Sequence, residues 1–329
     1  MDTPRRGAHQ ARNTTRGLAA RAEGDVARVK AREVETDPLV PALAAEPGRR
    51  GGHGPSPTAP LTIEPPRGWE IGRFREVWLY RELLYFLVWR ELKIRYKQTM
   101  FGGAWAVLQP LITMIVFTAV FSRLMGVPSD DLPYPVFSYA ALLPWTFFAT
   151  GIARAGNSLV QDPNLLSKIY FPRETLPLAS VSAMLVDLAI AFVILLGMMA
   201  FYGLVPGLAV LTLPLFVLLA YLTALGVGLW LAAANVKYRD INYVIPFLSQ
   251  LWLFLTPVAY PASLVPDAWR VVYGLNPMAG VVEGFRWALL GTDSADWGLI
   301  TASTGVVLVI LVSGLVYFRR MEREFADVV

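Results

Sequence analysis

The sequence lacks cysteine altogether and has only two histidines, His9 and His53, both close to the N-terminus. Without thiols the chain has no disulfide, no thiol nucleophile and no thiolate metal site. Both histidines fall in a stretch that is predicted below to be disordered, which excludes histidine-based catalysis and a histidine-rich metal site in the folded part. The chain also lacks a G-x-x-x-x-G-K-[ST] phosphate loop, so it does not hydrolyse nucleotide by that route.

Charge is scarce as well. Only 16% of the 329 residues are charged, against about 25% in soluble domains. The hydrophobic fraction is 55% and the mean hydropathy is +0.47, which indicates a bundle of transmembrane helices. The net charge of +4 does not indicate nucleic-acid binding, because the basic residues lie in the N-terminal tail and beside apolar segments.

The N-terminal region divides into two parts. Residues 1–67 are rich in Arg, Ala, Gly, Pro and Glu and have almost no aromatics, so we predict a disordered extension. Residues 68–100 contain the short apolar run LLYFLVW, residues 83–89, flanked by charges. Seven residues are too few to cross about 30 Å of hydrocarbon. Its tryptophans and tyrosines favour an amphipathic helix along the cytosolic membrane surface.

Residues 101–329 are predicted to form an all-α membrane domain with six transmembrane helices, each near the length of about 20 residues that a span needs. The predicted spans run approximately from Trp105 to Met125, Val136 to Ala153, Leu178 to Tyr202, Leu208 to Ala234, Tyr243 to Tyr260 and Gly298 to Phe318. Thirteen Lys and Arg residues flank the spans on one side and three on the other. The positive-inside rule then predicts that both termini are cytosolic.

The region from Pro261 to Trp297 is long enough to include another span, but Asn276-Pro277 breaks it and Glu283 and Arg286 lie inside it. Each such charge costs about 3 kcal/mol at the centre of a membrane helix. We therefore predict two short re-entrant helices that dip back from the outer face before the last span.

Three features carry candidate functions with alternatives left open. Asp187, mid-way along the third span, marks either a transport pathway or a hydrogen bond between helices, and no intramembrane Lys or Arg is evident as its partner. Ala224, Gly228 and Ala232 are small residues four apart, which favours close helix packing. Aromatic side chains in or near the spans either line a sugar path or simply pack.

A polar stretch from Arg154 to Leu178 separates the second and third spans. Asp162-Pro163 is typical of a helix start and Pro172 of a helix end, so we predict a short cytosolic helix with one apolar face that docks on another protein. The tight turn Tyr238-Arg239-Asp240 follows the fourth span, where its charges either pair with a partner or are simply solvated.

Seven motifs resemble the permeases of ABC-2 type transporters, in the subgroup that exports lipid-linked polysaccharides such as O-antigen, teichoic acid and galactan. They are RELKIRYKQT at 90–99, GGAWAVLQPL at 102–111, LLSKIYFPRETLPL at 165–178, YRDI at 238–241, TPVAY at 256–260, LNPM at 275–278 and FR at 285–286. The likeness covers the chain from about Trp69 onwards, and the N-terminal extension is not part of it.

The resemblance implies a homodimer in the bacterial inner membrane that works with two separate ATPase subunits, which would hold the ATP and Mg. The chain would then be a transport subunit and not an enzyme, without a cofactor of its own. It would move a polyprenyl-diphosphate glycan from the cytosol to the outer face, with membrane lipids as further partners. The ATPase-coupling residues would be Gln161, Asp162, Asn164, Lys168, Tyr170, Pro172, Arg173, Glu174, Tyr238, Arg239 and Asp240. The candidate channel or gate residues are Tyr139, Trp145, Phe148, Asp187, Trp252, Pro257, Tyr260, Asn276, Pro277, Glu283 and Arg286.

Two other functions compete with this one. One is an exporter of a drug or lipid within the same family. The other is a membrane enzyme acting on polyprenyl-linked sugars, in which Asp130-Asp131 would hold a metal with the diphosphate; two adjacent acids in a short loop more often solvate a turn.

Overall fold

The computed structural model describes residues 78–97, 104–161, 165, 171–291 and 296–322. Within these ranges the chain forms helices and turns and no strand, as the all-α prediction requires. The extension predicted to be disordered, residues 1–67, lies outside the described residues.

Nine α-helices occur in the described part of the chain. They are α1 (Arg81–Lys97), α2 (Ala104–Phe117), α3 (Tyr134–Gln161), α4 (Thr175–Phe201), α5 (Leu213–Lys237), α6 (Ile241–Leu255), α7 (Asp267–Gly274), α8 (Pro277–Leu290) and α9 (Trp297–Met321). A π-helical segment, Thr118–Leu124, continues α2, and 3-10 turns at Leu208–Thr212 and Ala262–Leu264 precede α5 and α7.

Five of the described helical segments are long and apolar enough to cross a membrane: Ala104–Leu124, Tyr134–Gln161, Thr175–Phe201, Leu208–Lys237 and Trp297–Met321. They coincide with five of the six predicted spans. The second is longer than predicted by two turns at its C-terminal end, because the helix continues through the polar residues Arg154 and Asn157. The fifth predicted span overlaps α6, which has only 15 residues and is about 22 Å long.

The α6 helix ends at Leu255, five residues before the predicted end of that span, and the cause is Pro257. A proline disfavours the helical conformation of the residue before it. Thr256 accordingly takes extended angles, φ −104° and ψ 142°. The chain then runs through an irregular segment, residues 256–266, into α7.

The α3 helix is the centre of the fold. It packs against α4, α5 and α8, and also touches α2 and α6. Most of its residues are buried, a larger share than in any other of the five long apolar segments. Because α3 is surrounded, its side chains give the core its large buried residues, among them Phe137, Tyr139 and Phe148.

Small residues let α5 approach two neighbours, as the sequence predicted for Ala224 and Gly228. A Cβ atom on Gly228 would overlap that of Ala155 on α3, and one on Gly151 would lie 3.2 Å from the Cβ of Ala224. On another side of α5, a Cβ on Gly226 would lie 2.9 Å from the Leu311 Cα of α9.

The substitution Gly314→Ala is expected to destabilise the chain by about 1–3 kcal/mol, because the new methyl would overlap the Gly226 carbonyl oxygen and force α5 and α9 apart. The matched control is Gly305→Ala on the same helix, where a Cβ meets no heavy atom within 4 Å. Unfolding in mixed micelles measures both, and equal stability of the two variants would contradict the packing described.

The α1 helix packs along α4. Its Glu91 lies 3.9 Å from Arg154 of α3, and its Arg95 pairs with Asp187, twelve residues or about 18 Å into α4. The helix therefore follows the side of the bundle for several turns. Its predicted place along the membrane surface stays a prediction.

Two short helices, α7 with 8 residues and α8 with 14, occupy the region predicted to break at Asn276-Pro277. The break lies where it was predicted. Asn276 is extended, and its side chain accepts a hydrogen bond from the Met278 amide. Gly291, the residue after α8, is in the left-handed conformation with φ 66°. Most of α8 is buried against α3, α5 and α9.

Candidate functional site

Asn276 connects the end of α6 to the start of α8. Its amide nitrogen donates to the Leu255 carbonyl and to the Thr256 hydroxyl, each at 3.0 Å, while its amide oxygen accepts from the Trp252 indole at 2.9 Å. Pro257 lies just after the end of α6 and Pro277 is the first residue of α8, and the backbone groups at two such helix ends have no helical partners. The Asn276 side chain satisfies groups on both sides of the gap, so three of the gate candidates, Trp252, Asn276 and Pro277, form one unit.

Arg286 holds the irregular segment after α6. Its side chain is buried, with 1% of its surface exposed, and its guanidinium donates to the carbonyls of Val258 at 2.8 Å, Tyr260 at 3.3 Å and Phe137 at 3.4 Å. The group also lies 3.6 Å above the centre of the Phe137 ring. Arg286 is one of the three basic residues counted on the outer side of the predicted spans, but its buried guanidinium does not belong to an exposed loop.

The neighbouring carbonyl, that of Ala259, accepts a hydrogen bond of 2.7 Å from the Tyr134 hydroxyl. The segment that follows Pro257 thus has three successive carbonyls bound by side chains from α3 and α8. Irregular backbone at membrane depth requires such internal partners, because lipid offers none.

Glu283 lies three positions before Arg286 on α8 and is half-buried. Its Oε2 atom is buried and has no hydrogen-bond partner among the described residues. Near it, the Tyr273 hydroxyl donates to the Tyr260 hydroxyl at 3.0 Å, and Tyr260 donates to the Phe254 carbonyl at 3.1 Å. Glu283, Tyr260 and Arg286 therefore share one end of the bundle.

Three aromatic candidates from α3 lie in the core of a single chain. Tyr139 and Phe148 have no exposed surface, and Trp145 has 5%. The Phe148 ring packs between Trp145, at 5.5 Å, and Trp252 of α6, at 5.0 Å, measured between ring centres. In this conformation they pack helices together.

An exposed face of α6 was missed at the level of sequence. Tyr243, Phe247, Leu251 and Phe254 are all exposed, and only Ile245 of this helix is buried. Their spacing of four, four and three residues is the signal that predicts one apolar helical face.

Asp187 has a partner that the sequence analysis did not find. Its carboxylate pairs with Arg95 and accepts a 2.6 Å hydrogen bond from the Tyr96 hydroxyl, both on α1. Burial, and then this hydrogen bond, raise the pKa of Tyr96 to about 12, so the phenol remains a donor at neutral pH. The pair borders a cavity of about 30 Å³ that Gln109 and Thr146 also line, which is room for about one or two water molecules.

The predicted ATPase-coupling residues have different surroundings. Asp162, Asn164, Lys168 and Tyr170 lie outside the described residues. Gln161 is exposed at the end of α3. Pro172 is buried; Glu174 is buried too and receives a 2.7 Å hydrogen bond from Arg319 of α9. Arg173 donates to the Glu322 carbonyl at 3.2 Å.

The turn after α5 presents its predicted contact residues to the outside. Tyr238, Arg239 and Asp240 are exposed. Behind them lies Asn235, fully buried, whose amide nitrogen reaches the Gly156 carbonyl at 2.9 Å, the Asn157 side chain at 3.0 Å and that of Asn242 at 3.2 Å. This network joins α3, α5 and α6, and sequence reasoning missed it.

The acidic pair proposed for a metal, Asp130 and Asp131, lies in a tight turn. Both residues are left-handed, with φ 51° and 58°, and Asp130 is 3.5 Å from the Ser263 hydroxyl. Within the described residues there is no group of three or more His, Cys, Asp and Glu side chains that could hold a metal ion.

The profile of the family described as "ABC-2 type transporter" matches residues 82–290. The chain is 32% identical over 256 residues to the "O-antigen export system permease protein RfbA" of Myxococcus xanthus, covering 77% of this chain and 97% of that protein. A protein of the same name from Klebsiella pneumoniae is 26% identical, with 75% and 95% covered. The "Polysialic acid transport protein KpsM" of Escherichia coli is 24% identical, with 71% and 91% covered.

Proposed function

Because the chain belongs to the ABC-2 type transporter family, we propose that it is the membrane permease subunit of an ATP-driven exporter of polysaccharide. The observation that carries this proposal is the 32% identity to an O-antigen export permease over 97% of that protein. The cargo is a glycan on a polyprenyl-diphosphate carrier, moved from the cytosol to the outer face of the bacterial inner membrane.

In this proposal the domain has six spans, with α6 and the segment after it forming the fifth. The α7 and α8 helices enter the membrane from the outer face and return. Two observations support the re-entrant path: the break at Asn276, and the binding of the Val258 and Tyr260 carbonyls by Arg286. The break divides the region into two short helices, and the hydrogen bonds from Arg286 satisfy irregular backbone that lipid could not satisfy.

Both termini lie in the cytosol in this orientation. The end of α9 lies beside the start of α4, because Arg319 pairs with Glu174, so two helix ends that are both predicted to be cytosolic meet at one end of the bundle. A tag after Val329 that is reached from the outside would contradict the orientation.

The energy source is a separate pair of ATPase subunits, which hold ATP and Mg. Two cytosolic surfaces would receive them, the stretch from Gln161 to Glu174 and the turn Tyr238–Asp240. The exposure of all three turn residues supports a docking role for that turn. Since Glu174 is bound to Arg319, its role there is to hold the start of α4.

The Asn235 network would transmit movement between these two surfaces. Asn235 belongs to the helix that ends at the turn, and its partners Gly156 and Asn157 belong to the helix that ends at Gln161. A movement of either surface would therefore displace the buried Asn235 side chain. The hydrogen bonds of Asn235 to the Gly156 carbonyl and to the Asn157 side chain hold these two helix ends together.

Two copies of the chain would enclose the transport path. The exposed face of α6, with Tyr243, Phe247 and Phe254, and the exposed apolar side of α2 support this arrangement, because both helices have few buried residues within one chain. Gate candidates on the break, Pro257 and Asn276 among them, would control its outer end.

Arg239→Glu is expected to reduce the amount of ATPase that copurifies with the permease at least about tenfold. The ATPase surface that attracts the wild-type arginine would repel the glutamate, which weakens the binding free energy by a few kcal/mol. Glycan export should fall in parallel. The control is Arg123→Glu, which reverses an exposed charge at the predicted outer end of α2. Lys168→Glu, on the other proposed surface, should behave like Arg239→Glu.

Full ATPase recovery and full export in both cytosolic variants would contradict the coupling assignment. A chain that acts on polyprenyl-linked sugars when purified alone would contradict the permease itself and support the enzyme.

A further inference from the structure

A groove of about 550 Å³ runs along the outside of the bundle between α5 and α9. Its walls are apolar: Leu308, Val309 and Val312 line it and are each more than half exposed. The groove is separate from the proposed coupling surfaces, from the break after α6 and from the exposed faces of α2 and α6.

One end of the groove is aromatic and basic. The Trp230 and Tyr317 rings stack there with 4.1 Å between centres, and the Trp230 indole donates to the Ser313 hydroxyl at 3.2 Å. Arg320 is exposed and completes the lining; it lies about two turns beyond Ser313 and about one turn beyond Tyr317, towards the end of α9. Aromatic rings followed by a cation are typical of the membrane–water boundary.

The length of the groove matches one leaflet. From Leu308 to Arg320 the helix rises twelve residues, about 18 Å, whereas half of the hydrocarbon core is about 15 Å thick. A diacyl lipid whose chains lie along Val309 and Val312 would therefore hold its headgroup beside Arg320. The guanidinium can bind the lipid phosphate through two donors, and it favours a headgroup with a net negative charge because no cation in the headgroup then repels it.

We propose that this groove is a binding site for an anionic phospholipid of the cytosolic leaflet. The lipid stays bound to the permease in this groove on the outside of the bundle, and it is not the exported cargo. This inference rests on the proposed orientation only for which leaflet supplies the lipid. The groove, the aromatic pair and Arg320 are the same in either orientation.

The close contact of α5 and α9 gives the site its shape. Gly226 and Gly314 bring the two backbones together directly below the Trp230 ring, so that the ring extends outwards as one wall. The lipid would cover this seam between two helices, which is the place where a single bound lipid gains contacts from both.

Native mass spectrometry of the full chain tests the proposal, with phosphatidylglycerol and phosphatidylcholine offered in equal amounts in the same micelles. The wild type is expected to retain phosphatidylglycerol about fivefold more than phosphatidylcholine, as one cation beside a headgroup provides. Arg320→Gln should abolish this preference. Arg123→Gln, an equal change of charge at the other end of the bundle, should leave it intact.

Val312→Trp fills the groove without touching the core and should reduce retention of both lipids. An unchanged preference in Arg320→Gln, or unchanged retention in Val312→Trp, would overturn the proposal. A second copy of the chain in the groove would do so as well. Because the chain has no cysteine, Val312→Cys is a unique thiol, and its crosslinking into dimers by a short bismaleimide would reveal that occupant.

Discussion

Replacing Arg286 by methionine is expected to lower the free energy of unfolding by about 3 kcal/mol. Three carbonyls, those of Phe137, Val258 and Tyr260, would lose their donor in a buried site, and each such loss costs about 1 kcal/mol or more. Methionine fills much of the volume of the arginine side chain. The lost free energy of unfolding therefore comes from the missing hydrogen bonds and from the missing contact of the guanidinium with the Phe137 ring.

A lysine at the same position separates charge from geometry. Arg286→Lys keeps a cation but replaces a planar fork of donors by one ammonium group, which cannot reach three carbonyls at once. Its stability is expected to lie between wild type and Arg286→Met. Reversible unfolding in mixed micelles measures all three chains, with Arg123→Met as the control for loss of an exposed arginine.

If Arg286→Met were as stable as the Arg123→Met control, the guanidinium would not support the segment after α6. In export assays the same variant should fail even at low temperature, where it remains folded, because the Val258 and Tyr260 carbonyls would then be free to move. The lysine variant should keep partial export.

The second large effect concerns the contact between α1 and α4. Asp187→Leu and Arg95→Met are each expected to destabilise the chain by about 2–3 kcal/mol, because each leaves one charge in a site where the other side chain is only 13–19% exposed. The double variant, which leaves no charge, should cost less than the two single losses combined. The difference between the summed single losses and the loss in the double variant is the interaction energy of Arg95 with Asp187.

A double-mutant cycle in mixed micelles gives the interaction energy directly. Tyr96→Phe is the matched control on the same helix, since it removes only the hydroxyl that donates to Asp187, and it should cost about 1 kcal/mol. Strictly additive losses for Arg95→Met and Asp187→Leu would mean that α1 does not hold α4 through this pair.

Much of the helix order could be predicted from the sequence, because apolar runs of about 20 residues are set by the thickness of the bilayer. The break at Asn276-Pro277 was also predictable, since proline acts on the residue next to it. The same rule could have predicted the end of α6, because Pro257 excludes Thr256 from the helix. The predicted span nevertheless continued to Tyr260.

The partners of buried charges were not predictable in this way. Asp187 and Arg95 are 92 positions apart, and α1 was expected at the membrane surface, so nothing local links them. Arg286 was treated as a cost within the membrane, whereas backbone carbonyls of a distant segment bind it. Asn235 lies one residue beyond the predicted end of the fourth span, and only the packing of α3 against α5 brings its amide to Asn157.

The buried guanidinium of Arg286 also has a consequence for biogenesis. A segment that carries Glu283 and Arg286 gains little from entering lipid by itself, since each charge costs about 3 kcal/mol on the scale of insertion through the translocon. The site that accepts Arg286 is built from Phe137, made 149 residues earlier in synthesis, and from the segment just before α7. In the proposed re-entrant arrangement, insertion of α8 is therefore a late step, which follows the integration of α3 and happens against protein already in the membrane.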